Sequence, residues 1–303
     1  SSSSSRNSVP EKSNSTASIG GEVSGRRSVT GAHPSIVPGV KYALRGYISP
    51  MTAPESALRQ TVVVVPAHNE IAHLPQCLRA LTTAALGTPS PVTIVVVLDS
   101  CDDGSDRLAA RYGTDVHFVS VDAGNVGAAR AAGFDYARSL EDSLDDDGSA
   151  PELTWYATTD ADSIVDADWL LRMTDPPRHG GADMVLGVVR VPVWRNFSAK
   201  VARRYLRAYR GDGAGHDHVH GANMGFRADA YWQVGGFRAL ATGEDVELVG
   251  RFEAAGLRID RDAQLSVATS DRREGRAPSG FAQHLRSLSG SAGSDRNASG
   301  AAS

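Results

Sequence analysis

Three hundred and three residues and 31.9 kDa fill one large domain or two modest ones, and 41% hydrophobic content is enough for a sizeable core. With 31 basic against 35 acidic side chains the net charge is −4, which excludes a general polyanion binder. Two cysteines, Cys77 and Cys101, exclude a disulfide framework and a structural zinc site, so the expected setting is the reducing cytoplasm.

Residues 1–50 hold thirteen serines and six basic against two acidic residues, without apolar periodicity, and the first 57 residues read as a disordered leader. The chain starts at Ser1, whereas Met51 opens a short polar run into the first strong strand, so the natural start is expected at Met51. Residues 61–65 form that strand, followed by Ile71, Leu74, Leu78 and Leu81 at helical spacing, with Asn69 placed to cap the helix. A strand at 92–98, a short helix at 107–112, a strand at 116–121 and an Ala-rich helix at 126–140 come next. An acidic loop at 141–147 leads to a fourth strand at 153–158. Beyond it lie a strand at 184–191, a basic amphipathic helix at 199–209 and a helix at 245–255. There is no internal repeat, and strand alternating with helix predicts an α/β, doubly wound, mostly parallel sheet in one domain, 58–288, with a flexible tail at 289–303. The longest purely apolar runs, 62–65 and 94–98, are far too short to span a bilayer. Three lysines amid abundant Arg, Ala and Gly point to a GC-rich bacterial genome.

Ligands of an open parallel sheet bind beyond the carboxyl ends of its strands. The first strand ends in Pro66, Ala67, His68, Asn69 and Glu70 with no glycine, which disfavours both a dinucleotide fingerprint and a phosphate-binding P-loop. The second ends in Asp99, Ser100, Cys101, Asp102 and Asp103, and the fourth in Asp160, Ala161 and Asp162, so carboxylates gather at one edge. Residues i and i+2 leaving a strand point the same way, so Asp160 and Asp162 can face one magnesium or manganese ion, which would neutralise a bound diphosphate. The alternative is that Asp162, Ser163 and Asp166 merely cap the next helix.

The segments VVVVPAHNE, VVVLDSCDDGSD, GNVGAARAAG, TTDADS, HGANMGFRADAYWQVGGF and GEDVEL, in this order over about two-thirds of the chain, resemble family 2 glycosyltransferases of the GT-A fold. The resemblance implies a metal-dependent enzyme that moves a sugar from a UDP- or GDP-sugar to a hydroxyl acceptor not identified here, with inversion. It places Pro66, Ala67, Asn69, Glu70 and Asp99 around base and ribose, and Arg130 beside nucleotide or phosphate. Asp160, Ala161 and Asp162 become the metal-binding D-x-D, and Gly221, Ala222, Asn223 and the turn at Gly235 and Gly236 the acceptor-side wall; His220, which abuts Gly221, is the histidine nearest that wall. Asp245, after Glu244, falls at the catalytic base, where helix capping or a charge pair with Arg238 or Arg251 is the competing account.

Strand two departs from the family's uninterrupted D-D-G-S, leaving open which of Asp99, Asp102 and Asp103 meets the base. The Q-x-x-R-W motif of processive members is absent, which argues for a single sugar per turnover. In its region Arg272, Arg273 and Arg276 either clamp the diphosphate or form a solvated charge run. His284 is the candidate third metal ligand. His216, His218 and His220 have the alternate spacing that puts all three on one side of an extended segment, either as a metal site or as an acceptor loop that orders on donor binding. A homodimer is left open; nucleic acid is not an expected partner. Two rival functions stand beside transfer: a nucleotidyltransferase, which would need a Gly-rich basic loop after strand one, and a sugar-nucleotide-binding scaffold.

Overall fold

The computed structural model describes residues 58–144, 151–208, 216–272 and 281–290. Among them, seven strands form one sheet in the order β3-β2-β1-β4-β6-β5-β7. The strands are β1 (Gln60–Ala67), β2 (Val92–Asp99), β3 (Val116–Val121), β4 (Thr154–Thr158), β5 (Met184–Arg190), β6 (Met224–Arg227) and β7 (Ile259–Ala268). Only β6 runs against its neighbours; β3, β2, β1 and β4 are parallel to one another, as are β5 and β7. This is the doubly wound, mostly parallel sheet that the alternation of patterns predicts.

The strand residues sort by side-chain parity. Val63, Val65, Ile94, Val96, Trp155 and Ala157 face one layer, which Leu74, Cys77, Leu78 and Leu81 of α1 (Leu74–Leu86) and Trp169, Leu170 and Met173 of α3 (Trp169–Met173) cover. Val62, Val64, Val95, Val97 and Tyr156 face the other, under α2 (Val126–Leu144). On α2, Phe134 stacks on Tyr156 with ring centroids 4.7 Å apart. Helix and sheet meet closely there because residue 133 is glycine: a Cβ on it would come 2.5 Å from Val64 Cγ1. The same layer takes in α6 (Ala228–Gln233) and α7 (Glu244–Ala254), and a short helix, α4 (Pro176–His179), precedes β5. A third cluster, of Val191, Phe197, Val201, Tyr205 and Leu285, joins α5 (Ala199–Ala208) to α8 (Phe281–Gly290).

Several boundaries differ from the expected ones. Asn69 does not cap α1: the helix starts at Leu74, whose N–H donates to the Glu70 carbonyl at 2.8 Å, and Ile71 lies outside it, exposed. Residues 105–111 form a 3-10 segment, α2 absorbs residues 141–144 of the expected acidic loop, and Ser289 belongs to α8 and not to a tail. No apolar run announces β6 or β7, because β6 has four residues and β7 is an edge strand with mostly half-exposed side chains. Met51, Arg273 and Arg276 lie outside the described residues, as does the side chain of His284.

Candidate active site

The turn after β1 and the turn after β2 are stitched together by two residues in the left-handed region, Asn69 (φ 54°) and Ser100 (φ 52°). Asn and Ser bear this conformation at a cost that local side-chain bonds offset. Asn69 Oδ1 accepts the Asp102 N–H at 2.9 Å, and the Cys101 thiol donates to the Ala67 carbonyl at 3.3 Å. Pro66 and Ala67 are the last residues of β1, paired with Val97 and Leu98 and buried, so they back the turn and do not line it. His68 is the exposed residue there, with Nδ1 2.7 Å from the Asp99 carbonyl.

Asp99 is turned toward the loop that follows β3. Its buried carboxylate accepts the N–H groups of Ala123, Gly124 and Asn125 at 2.8, 2.8 and 2.9 Å and so shapes the loop into α2. Asp103 is likewise spent on the N–H groups of Ile71 and Ser105, which leaves Asp102 as the exposed carboxylate of the three. Burial alone would raise the Asp99 pKa, but the three backbone donors and the Ser100 hydroxyl outweigh it and hold the carboxyl below its ordinary value. A lowered folded value stabilises above the unfolded pKa of about 4 and is lost as the pH falls through the folded one. Asp99→Asn should therefore cost about 1–2 kcal/mol at neutral pH. The gap from wild type should close in acid, which urea titrations at several pH values would measure.

At the end of β4, Asp160 and Asp162 are each met by an arginine. Arg130, in the first turn of α2 and 3% exposed, donates through Nη2 to Asp160 Oδ1 at 2.8 Å and through Nη1 to Glu244 Oε1 at the start of α7. Its guanidinium lies over the Phe237 ring, 5.5 Å from the centroid, and against Gly221, where any Cβ would collide with it. Where a place beside nucleotide or phosphate was expected for Arg130, its two terminal nitrogens bridge two carboxylates and its side chain is buried. Burial raises the Asp160 pKa and Asp162 adds to this, while Arg130 and Arg272 oppose it; one side of the carboxylate stays open to the cleft.

Asp162 accepts the Ser270 hydroxyl at 2.7 Å and lies 3.3 Å from Arg272 Nε; Arg272 also donates to buried Glu70, whose other oxygen is 2.8 Å from His73 Nδ1. Arg272, half-buried, thus ties the segment after β7 to the ends of β1 and β4. The capping account of Asp162 and Asp166 fails, since α3 begins later, after Asp168, and Asp166 pairs with Arg190 at 2.8 Å. Buried Ala161 separates the two carboxylates.

Across the cleft Asp245 is half-buried, its Oδ2 accepting the Gly221 N–H and its Oδ1 the Val246 N–H, both at 2.9 Å. Arg238 and Arg251 pair with Glu247 at 2.8 Å each, so the competing account of Asp245 as their partner does not hold. Ala222 and Asn223 are buried, and Asn223 spends its amide on Trp169 Nε1 and the carbonyls of Val188 and Leu265 at 2.8–2.9 Å. They build the turn that carries His220 and Gly221 and cannot contact an acceptor. Gly235 and Gly236 form a turn whose second glycine packs on the Tyr231 ring. His216, His218 and His220 do share one side, with rings stacked 5.9 and 6.0 Å apart at 19° and 21°. Near-parallel rings do not converge on one ion, and among the described residues no three His, Cys, Asp or Glu side chains form a ready metal cage.

A model of glycosyl transferase family 2 matches residues 62–235, more than half of the chain. The chain belongs to that family. No curated protein sequence matches this family 2 chain. Its fold is similar to that of S. aureus TarS 1–349, crystallised in complex with UDP-GlcNAc, with a TM-score of 0.52 at 13% identity over 76% of this chain and 65% of that one. It is also similar to the mannosyltransferase PcManGT from Pyrobaculum calidifontis, in complex with GDP-Man and Mn2+, with a TM-score of 0.50 at 19% identity over 74% of this chain. The chain thus spans less than two-thirds of the length of these two structures, 65% and 60%. Asp245 lies beyond the matched residues. Ser270 lies in none of the quoted segments and Phe237 ends one of them, but only the folded chain shows their contacts with Asp162 and Arg130.

Proposed function

We propose that this protein transfers a single sugar from a nucleoside-diphosphate sugar, a UDP- or GDP-sugar, to a hydroxyl acceptor, with inversion at the anomeric carbon. One observation carries the reading: among the described residues Glu70, Asp160, Asp162, Glu244 and Asp245 converge at the carboxyl edge of the sheet around two guanidiniums, those of Arg130 and Arg272. Such a rim is net negative and repels a diphosphate unless a further cation enters. Oxygen donors with two carboxylates suit magnesium or manganese, which keep positions for phosphate oxygens and water. Asp160 and Asp162 would hold the ion, and a bound divalent cation supplies Lewis-acid neutralisation of the departing diphosphate.

The chain's own groups do the remainder. Each oxygen of Asp245 accepts one backbone N–H and keeps a lone pair, so the carboxylate is oriented yet able to take a proton from an acceptor hydroxyl. Attack from the side opposite the leaving group inverts the anomeric centre. The exposed turn at His68 and Asp102 is the place for the base, because Asp99 and Asp103 are committed to backbone. The test is nucleotide release from UDP- and GDP-sugars with manganese. Asp162→Asn should weaken manganese binding, read by electron paramagnetic resonance without donor, by about a hundredfold and abolish release. Manganese affinity unchanged in that variant would refute the ion site, and tight donor binding without any turnover would favour the scaffold.

A further inference from the structure

From α5 and the segment before it we infer that this face of the protein docks on an anionic lipid surface. Between residues 191 and 208 the chain carries Arg195, Lys200, Arg203, Arg204 and Arg207 and no acidic residue, in a protein whose net charge is −4. Tyr205 and Val201 bury one side of α5 against Phe197 and Leu285. The opposite side presents Lys200, Arg203 and Arg207, all exposed, and no carboxylate pairs with any of them among the described residues. Leu206, 51% exposed, lies beside Arg203 on the helix surface, and Val193, 52% exposed, precedes Trp194, whose ring packs 5.5 Å from Tyr205.

Unpaired cations interleaved with exposed aliphatic side chains suit a negatively charged interface, where the cations meet headgroups and the aliphatic groups enter the acyl boundary. A soluble polyanion would satisfy the cations but make no use of Leu206 or Val193. Placement agrees: Tyr205 Oη donates to the Val189 carbonyl at 2.8 Å, near the carboxyl end of β5. β5 runs parallel to β4, so α5 lies at the same sheet edge as Asp160 and Asp162. Among the described residues no helix is long and apolar enough to cross a membrane, so contact with a bilayer through them would be peripheral. The inference uses none of the residues assigned to sugar transfer and stands or falls apart from that reading.

The full chain should co-sediment with phosphatidylcholine vesicles containing about 30% phosphatidylglycerol, but not with phosphatidylcholine alone, and salt should release it. The double variant Arg203→Gln/Arg207→Gln should bind about twenty-five-fold more weakly, at about fivefold per cation, and Leu206→Gln about fivefold more weakly. Both variants should release nucleotide from a soluble donor as wild type does. Failure to bind anionic vesicles, equal binding to both vesicle types, or heparin binding that matches vesicle binding and ignores Leu206→Gln would overturn the inference.

Discussion

Asp245→Asn should lower sugar transfer about a thousandfold while leaving donor affinity within a few-fold of wild type. The two carboxylates beside it on α7 are not free to take over the proton: Glu244 is buried and bound to Arg130, and Glu247 is held by Arg238 and Arg251. The asparagine oxygen can keep one of the two backbone bonds that the carboxylate accepts, from Gly221 or Val246, but its amide group faces the other N–H. A thermal melt separates that local cost from the chemical one. Calorimetry with a UDP- or GDP-sugar and a turnover assay on the same preparation divide binding from catalysis, and turnover close to wild type would remove Asp245 from the mechanism.

The second large effect is expected at Arg130. Its side chain is 3% exposed, and removing it leaves the buried Glu244 carboxylate uncompensated and Asp160 without its partner. Breaking one side of a buried pair costs about 3 kcal/mol or more. For a domain of this size that is a melting-point drop of roughly 10 °C in Arg130→Met. Arg130→Lys keeps the charge but not the fork, so it should satisfy Glu244 or Asp160 and not both. If Arg130 instead contacted the nucleotide, Arg130→Met would weaken donor binding and leave the melting point near wild type.

Much of this architecture was legible in the residues. Runs such as Val62, Val63, Val64 and Val65 can only be strands buried on both faces, and their helices follow at the spacing of Leu74, Leu78 and Leu81. The pair Asp160 and Asp162 was legible too, because a strand's end sets where its next residues point. Partnership was not. Arg130 meets Glu244 across 114 positions and Arg272 meets Glu70 across 202, and no local pattern encodes such distances. Asp99 shows the same limit: its place after β2 resembles that of a ligand contact, yet three N–H groups from another loop claim it. Asn69 satisfied a capping pattern, but the turn used its side chain to tie two loops together.

The reversed direction of β6 has a consequence for divergence. Because β5 ends and β6 begins at the same rim, the chain leaves the sheet after Arg190 and re-enters it at Met224 on one side. The last residues of that excursion, Gly221 and Asn223, are tied to Asp245 and to β5, so a change of length is accommodated ahead of them, outside the ladders of β5 and β6. Chains built on the same sheet can accordingly vary this stretch while β1, β2, β3 and β4 keep their register.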